Sequence, residues 1–279
     1  MASTSSTDGL RFYSLSHPLR HNMAQWPSPM ATPLVTSRLF YHAMHGFCTY
    51  EYDGIMHRGT HMDVPVHVTA NMPYLLDFPL WRFFGTGVAV SIPKGRWGVV
   101  TPDDLERVEP RIQPGDIVMI NTGFHHDFGD NDRYYAYSGG LYKEAAQWLV
   151  DKRVKLVGID VQALDHSLGT RMVEHGPGPT HPHLMDEYRA ETGRDVMKDF
   201  PDWEPAHKTM LLAGIPGVEN VGGELDAVTG KRCTFMVFPW RWENGDGCSV
   251  RVVAVIDPEQ RFRIPAGTPH EPHDPSTGA

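Results

Sequence analysis

The sequence predicts a single mixed α/β domain. Three observations point there: six short apolar runs rich in β-branched residues, two amphipathic helical patterns interleaved with them, and no repeat at a fixed period. With 279 residues, 41% of them hydrophobic, the chain can bury a sizeable core as one domain.

Taken in order, residues 1–10 are rich in Ser and Thr and are expected to be flexible. Strands are expected at 87–92, 116–121, 154–159, 209–212, 233–238 and 249–256, each buried on one or both faces. A first helix is signalled by Thr101 as cap, Pro102 at the first helical position, and Asp103 and Asp104 near its positive end. A second runs from about 140 to 152, with Leu141, Ala145, Trp148 and Leu149 at core-facing spacing, and feeds the strand that follows. The stretch 165–204 differs. It carries His166, His175, His181 and His183 among Gly and Pro, with no clear period before Leu184, and is expected to form a lid or an intersubunit arm, with a plain surface insertion as the alternative. Residues 265–279, rich in Pro and His, are expected to be a flexible tail, which leaves 11–264 as the folded domain.

The charge balance narrows the partners. A net charge of −9 with no run of Lys or Arg argues against nucleic acid and anionic membrane surfaces, so a small molecule is the expected partner. Neither a signal-peptide core nor a span approaching about eighteen apolar residues is present, so a soluble, cytoplasmic protein is expected. Cys48, Cys233 and Cys248 are too few for a disulfide framework and read as small buried side chains.

The chemistry concentrates in residues 57–67, His-Arg-Gly-Thr-His-Met-Asp-Val-Pro-Val-His. Taken singly, each of these histidines is an ordinary polar packing group, one of sixteen in the chain. Together, flanked by Met56, Val64, Val66 and Val68, they place an aspartate and imidazoles where burial is costly unless something pairs them. A divalent cation is the simplest partner: His57, His61 and Asp63 can converge on one ion and leave other positions open. Gly59 permits a sharp turn between the first two ligands, and Pro65 stiffens the approach of His67. Two imidazoles and a carboxylate without thiolate suit zinc, manganese or iron(II). From the residues alone, a metal-dependent hydrolase, a non-haem iron(II) oxygenase with a two-histidine, one-carboxylate site, and a purely structural metal site all remain open.

This run resembles, at every fixed position, the His-x-Gly-Thr-His-x-Asp-x-Pro-x-His signature of the cyclase family of metal-dependent hydrolases, which includes bacterial kynurenine formamidase and isatin hydrolase. Weaker similarity extends through Trp26-Pro27, Pro114-Gly115-Asp116, Asn121-Thr122-Gly123, Gly158-Ile159-Asp160 and Gly245-Asp246-Gly247. The resemblance implies an α/β domain of the swivelling β/β/α type, with a mixed sheet and flanking helices. It implies His57, His61 and Asp63 as metal ligands and His67 as general acid/base. It further implies a second ion held by Asp63 with His207 and Glu219, which are twelve positions apart. One or two ions, zinc or manganese, and a homodimer or homotetramer follow from the same likeness.

The implied reaction is hydrolysis of a small amide, cyclic amide, imide or lactone by a metal-activated water, with His67 moving the proton. The chain departs from the formamidase pattern in a longer 165–204 stretch and a more aromatic 238–243 segment. Both bear on substrate choice, because loops and aromatic walls shape a pocket. Trp26, Trp240 and Trp242 are the candidate walls.

Overall fold

A computed structural model describes residues 6–7, 9–28 and 32–259. The tail expected at 265–279, and positions 1–5 and 8 of the expected flexible N-terminus, lie outside them.

The domain is built on a ten-stranded mixed sheet, numbered in chain order: β1 (Ser6–Thr7), β2 (Leu10–Ser14), β3 (His61–Asp63), β4 (Phe84–Ser91), β5 (Ile117–Asn121), β6 (Leu156–Ile159), β7 (Gly217–Glu219), β8 (Lys231–Met236), β9 (Gly247–Ser249) and β10 (Val253–Ile256). Their spatial order is β1-β2-β10-β8-β4-β5-β6-β7-β3-β9. The centre, β4 to β7, is parallel, whereas both flanks are antiparallel. Central strands of this kind are covered on both faces, which is why β5 is buried at all five positions.

Alternation along the strands splits the core into two layers. Val88, Val90, Val118, Ile120, Val157 and Ile159 face one layer with the helices, while Ala89, Ile117, Met119 and Leu156 face the other, with Met62, Val218, Phe235 and Ala254. Four helices matter here: α1 (Pro102–Arg107), α2 (Lys143–Asp151), α3 (His183–Thr192) and α4 (Pro205–Leu212). The expected cap of α1 is a capping box: the Asp104 N–H donates to Thr101 Oγ1 at 3.1 Å, and the Thr101 N–H donates to the Asp104 carboxylate at 2.7 Å. Helix α2 buries Ala145, Ala146 and Leu149 and packs against α4.

Three sequence expectations differ from the structure. The helix expected from about 140 begins at Lys143, because Gly140–Leu141 pair in parallel with Val99–Val100 as a short ladder. Residues 209–212 were expected as a strand but form the last turn of α4, which Pro205 starts. A run of four apolar residues fits a buried helix face as well as a strand, and here the strand is the next element, β7. Residues 249–256 are not one strand. They divide into the end of β9 and β10, which lie at opposite sides of the sheet.

The 165–204 stretch, although irregular, sends Leu168, Met172, Val173, Leu184, Tyr188, Val196 and Phe200 into the helix-side core. Its lack of period reflects anchoring by tertiary contacts rather than by a repeating face. Outside the large sheet, Val35–Phe40 and Thr49–Asp53 pair as an antiparallel hairpin that exposes Phe40, Tyr41, Met44, Phe47, Tyr50 and Tyr52. No helix among the described residues is long and apolar enough to cross a membrane.

Candidate metal centre

The site is organised by β3, a three-residue strand held between β7 and β9. His61 stands opposite Glu219 on one side and Ser249 on the other, and Asp63 stands between Gly217 and Gly247. Side chains two residues apart share a sheet face, so His61 and Asp63 point together while Met62 enters the opposite core. Glu219 joins them from across the ladder. The small residues beside Asp63 are required by space: a Cβ at Gly247 would overlap the His57 ring, and one at Gly217 would overlap Leu164.

The segment before β3 is a wall between two cavities. His57, Gly59 and His61 line one of about 340 Å³, whereas Met56, Arg58 and Thr60 line the other, of about 890 Å³. Gly59 adopts a φ of 54°, a left-handed conformation that a Cβ would penalise. After β3, Pro65 opens a single 3₁₀ turn, Pro65–His67, which swings the His67 ring to 4.2 Å from that of His57. His207 arrives from the first turn of α4. There the Asp165 carboxylate accepts the backbone N–H groups of Ala206 at 2.6 Å and His207 at 2.9 Å, a favourable place for an anion at a helix start.

The ligand atoms converge. His61 Nε2 is 3.3 Å from Glu219 Oε2 and 3.5 Å from Asp63 Oδ1. His207 Nε2 is 2.9 Å from Glu219 Oε1 and 3.4 Å from Asp63 Oδ2, and His57 Nδ1 is 2.7 Å from Asp63 Oδ1. Nitrogen and oxygen ligands placed about 2.0–2.2 Å from a tetrahedral ion are themselves about 3.3–3.6 Å apart, so most of these separations match a shared cation. The far ring nitrogens are engaged elsewhere. His61 Nδ1 donates to the Gly59 carbonyl at 2.9 Å and His207 Nδ1 to Asp165 at 2.6 Å, which leaves both Nε2 atoms facing the carboxylates. Asp63 Oδ1 is buried without a well-directed hydrogen bond, and the atoms around it are imidazole nitrogens, His57 Nδ1 at 2.7 Å and His61 Nε2 at 3.5 Å. A buried carboxylate oxygen so placed is what a cation would satisfy.

The electrostatics agree. Burial favours the neutral forms of Asp63, His57 and His207, yet the surrounding charges outweigh it. Charge on His57, His61 and His67, with a hydrogen bond to His207, holds the Asp63 carboxyl well below its usual range. Asp63 and Asp246 raise His57 to about 10, and Asp165, Asp63 and Glu219 raise His207 well above an ordinary histidine. Protons on these imidazoles occupy the electrostatic role of a cation, so metal binding would release them.

All five residues expected as ligands, His57, His61, Asp63, His207 and Glu219, border the 340 Å³ cavity, as do His67 and Trp26. Trp240 and Trp242 line the larger cavity instead, stacked with ring centroids 5.9 Å apart; the two cavities meet at Ile55. Sequence reasoning missed two supporting carboxylates. Asp165 orients His207, and Asp246 accepts from His57 Nε2 at 2.9 Å and from His67 Nδ1 at 3.3 Å. Asp246 carried a signal, an acid flanked by two glycines; Asp165 lies in a stretch with no periodicity to expose it.

The profile of the Cyclase family matches residues 13–166. Among solved structures, isatin hydrolase A from Ralstonia solanacearum is similar with a TM-score of 0.72 and 19% identity, covering 92% of this chain and 100% of that one. Isatin hydrolase A from Labrenzia aggregata bound to benzyl benzoate gives a TM-score of 0.70 at 19% identity over 89% of this chain and 94% of that one. A protein described as a potential metal-dependent hydrolase with cyclase activity gives 0.62 at 21% identity over 89% of this chain and 100% of that one.

Proposed function

Because the chain belongs to the Cyclase family, whose profile spans more than half of it, we propose that it is a metal-dependent hydrolase acting on the C–N bond of a small amide or cyclic amide, or on the equivalent bond of an imide or lactone. One observation carries this reading: three imidazoles and two carboxylates, His57, His61, His207, Asp63 and Glu219, turn their ligand atoms toward one another at the edge of a cavity of about 340 Å³. That volume suits a small molecule. The donor set exceeds the two histidines and one carboxylate of an iron oxygenase.

A divalent ion bound by these groups supplies Lewis acidity toward a carbonyl and lowers the pKa of water toward neutrality. The chain supplies the remainder. His67 donates its Nδ1–H to Asp246, so its Nε2 is the atom available to accept a proton from water and return it to the leaving nitrogen. Without that return an amide nitrogen leaves poorly. Asp246 bonds both His57 and His67 and keeps the two rings in register. Trp26, Phe128 and Tyr135 border the cavity as aromatic walls.

Nitrogen and oxygen donors without thiolate favour zinc or manganese, and Asp63, which is grouped with His57 and His67 on one side and with His61 and Glu219 on the other, is suited to serve one ion or to bridge two. The aromatic face of the 35–53 hairpin, with Trp240 and Trp242 exposed, supports a homodimer or homotetramer. Three free cysteines are consistent with the reducing cytoplasm.

The test is metal analysis of the purified protein, then removal and restoration of zinc or manganese during an anaerobic screen of small amides, imides and lactones. Metal-dependent turnover without oxygen is expected. Oxygen consumption by an iron-loaded protein, or turnover that survives metal removal, would overturn the proposal.

A further inference from the structure

The carboxyl ends of β5 and β6 carry a second cluster that the proposed hydrolysis does not use. Beyond Asn121 the chain turns through Thr122 and Gly123 into a 3₁₀ turn, Phe124–Asp127, which sets the His125 and His126 rings 4.0 Å apart. Asp226, from the short helix Leu225–Val228, reaches both: its Oδ1 lies 3.4 Å from His125 Nε2 and its Oδ2 3.1 Å from His126 Nε2. Asn121 Nδ2 donates to the same Oδ1 at 2.9 Å and fixes the carboxylate.

The inner side is built as carefully as that of the first centre. Asp160, fully buried at the end of β6, accepts the N–H groups of Thr122 and Gly123, each at 2.9 Å, and His125 Nδ1 at 2.9 Å. The Nδ1 hydrogen is thereby committed inward and His125 Nε2 is aimed at Asp226. This is the same support that Asp165 gives His207, a carboxylate behind an imidazole that sets its tautomer and raises its basicity.

We propose that His125, His126 and Asp226 form a second, solvent-facing binding site for a divalent transition-metal ion of the zinc, cobalt or nickel class. The 3.4 Å separation is that of ligands around a tetrahedral ion at about 2.0–2.1 Å, and the 3.1 Å one, to the other oxygen of Asp226, is only slightly shorter. Two imidazoles exclude calcium and magnesium as preferred occupants, and the lack of thiolate leaves the borderline cations. An ion pair alone is a poor account of the cluster: His126 and Asp226 are 63% and 57% exposed, and pairs so open to solvent are too weak to gather three side chains. The site shares no ligand with the first centre, so it stands whether or not the hydrolase reading holds.

Full-length protein is stripped with chelator and dialysed against zinc or cobalt, and bound metal is counted. His126→Ala and Asp226→Asn are each expected to bind one equivalent fewer than the unaltered chain. The same loss is expected when each is combined with His61→Ala, which damages the first centre alone, and the cobalt spectrum should lose one component in step. Both single changes are at exposed side chains, and unfolding of the metal-free variants checks that the fold is kept. Equal stoichiometry in the unaltered chain and both variants overturns the site. So does a loss that disappears in the His61→Ala background, because the ion would then belong to the first centre.

Discussion

His207 Nδ1 lies 2.6 Å from Asp165 Oδ2, and the same carboxylate receives the backbone N–H groups that begin α4. One buried side chain therefore both seats the helix and turns His207 Nε2 toward Asp63 and Glu219. Asp165→Asn keeps an oxygen for the helix N–H groups but weakens the acceptor for the imidazole. Metal affinity is expected to fall about 10–100-fold, as it does when such supporting partners are lost. Competition with a calibrated chelator measures it, and an unchanged affinity would deny Asp165 this role.

Gly247 faces Asp63 across the ladder, and a Cβ there would overlap the His57 ring and come within 2.8 Å of the Met62 carbonyl. Neither neighbour can yield cheaply, since the ring is held by Asp63 and Asp246 and the carbonyl belongs to the strand. Gly247→Ala is expected to cost about 1–3 kcal/mol of stability through overpacking and to lower metal content by displacing His57. Denaturant unfolding and metal analysis of the same preparation test both. Normal metal content with normal stability would show that the ring has room to move.

Much of this site was legible in the sequence because it is local. His57, His61, Asp63 and His67 sit within eleven residues, and the spacing of a strand and one turn is enough to bring them together. His207 and Glu219 were legible only through the family pattern; no local rule links a helix start to the strand after it. Asp165 and Asp246 act across 42 and 189 positions of chain, respectively, and such contacts are created by the sheet order alone. The same holds for residues 249–256, where apolar character continues while the backbone leaves one side of the sheet for the other.

His67 separates a catalytic role from a ligand role. Its side chain is one-third exposed, and its Nδ1 is held by Asp246 at 3.3 Å rather than by Asp63. His67→Ala is expected to retain bound metal and lose turnover by about 10²–10⁴-fold, the range for removal of a general acid/base. Metal content and kcat are read on the same sample. If metal is lost together with activity, His67 is a ligand instead.

The pH dependence of stability rests on a different histidine. His166 is fully buried, stacked on Phe200 at 4.4 Å, and its Nδ1 accepts the Leu168 N–H. Burial pushes its pKa down to about 4, against contributions from Trp97 and Asp165 that raise it. Between pH 6.5 and about 4 the unfolded chain binds a proton at this position and the folded chain does not, so stability is complete above 6.5 and falls as pH falls through that window. At about 1.4 kcal/mol per pKa unit the effect is on the order of 3 kcal/mol. His17, lowered to about 4 chiefly by its own burial, adds to the same slope. The raised histidines of the metal centre act in the other direction: their stabilisation is complete below 6.5 and is lost as pH rises from there, toward about 10 for His57, so they add no slope below 6.5. Urea unfolding of metal-free protein from pH 6.5 to 4.5 should therefore show stability declining with acid, and His166→Asn, which keeps an acceptor for Leu168, should flatten the decline whatever its absolute stability. Parallel profiles for the two proteins would mean that His166 is protonated in the folded state.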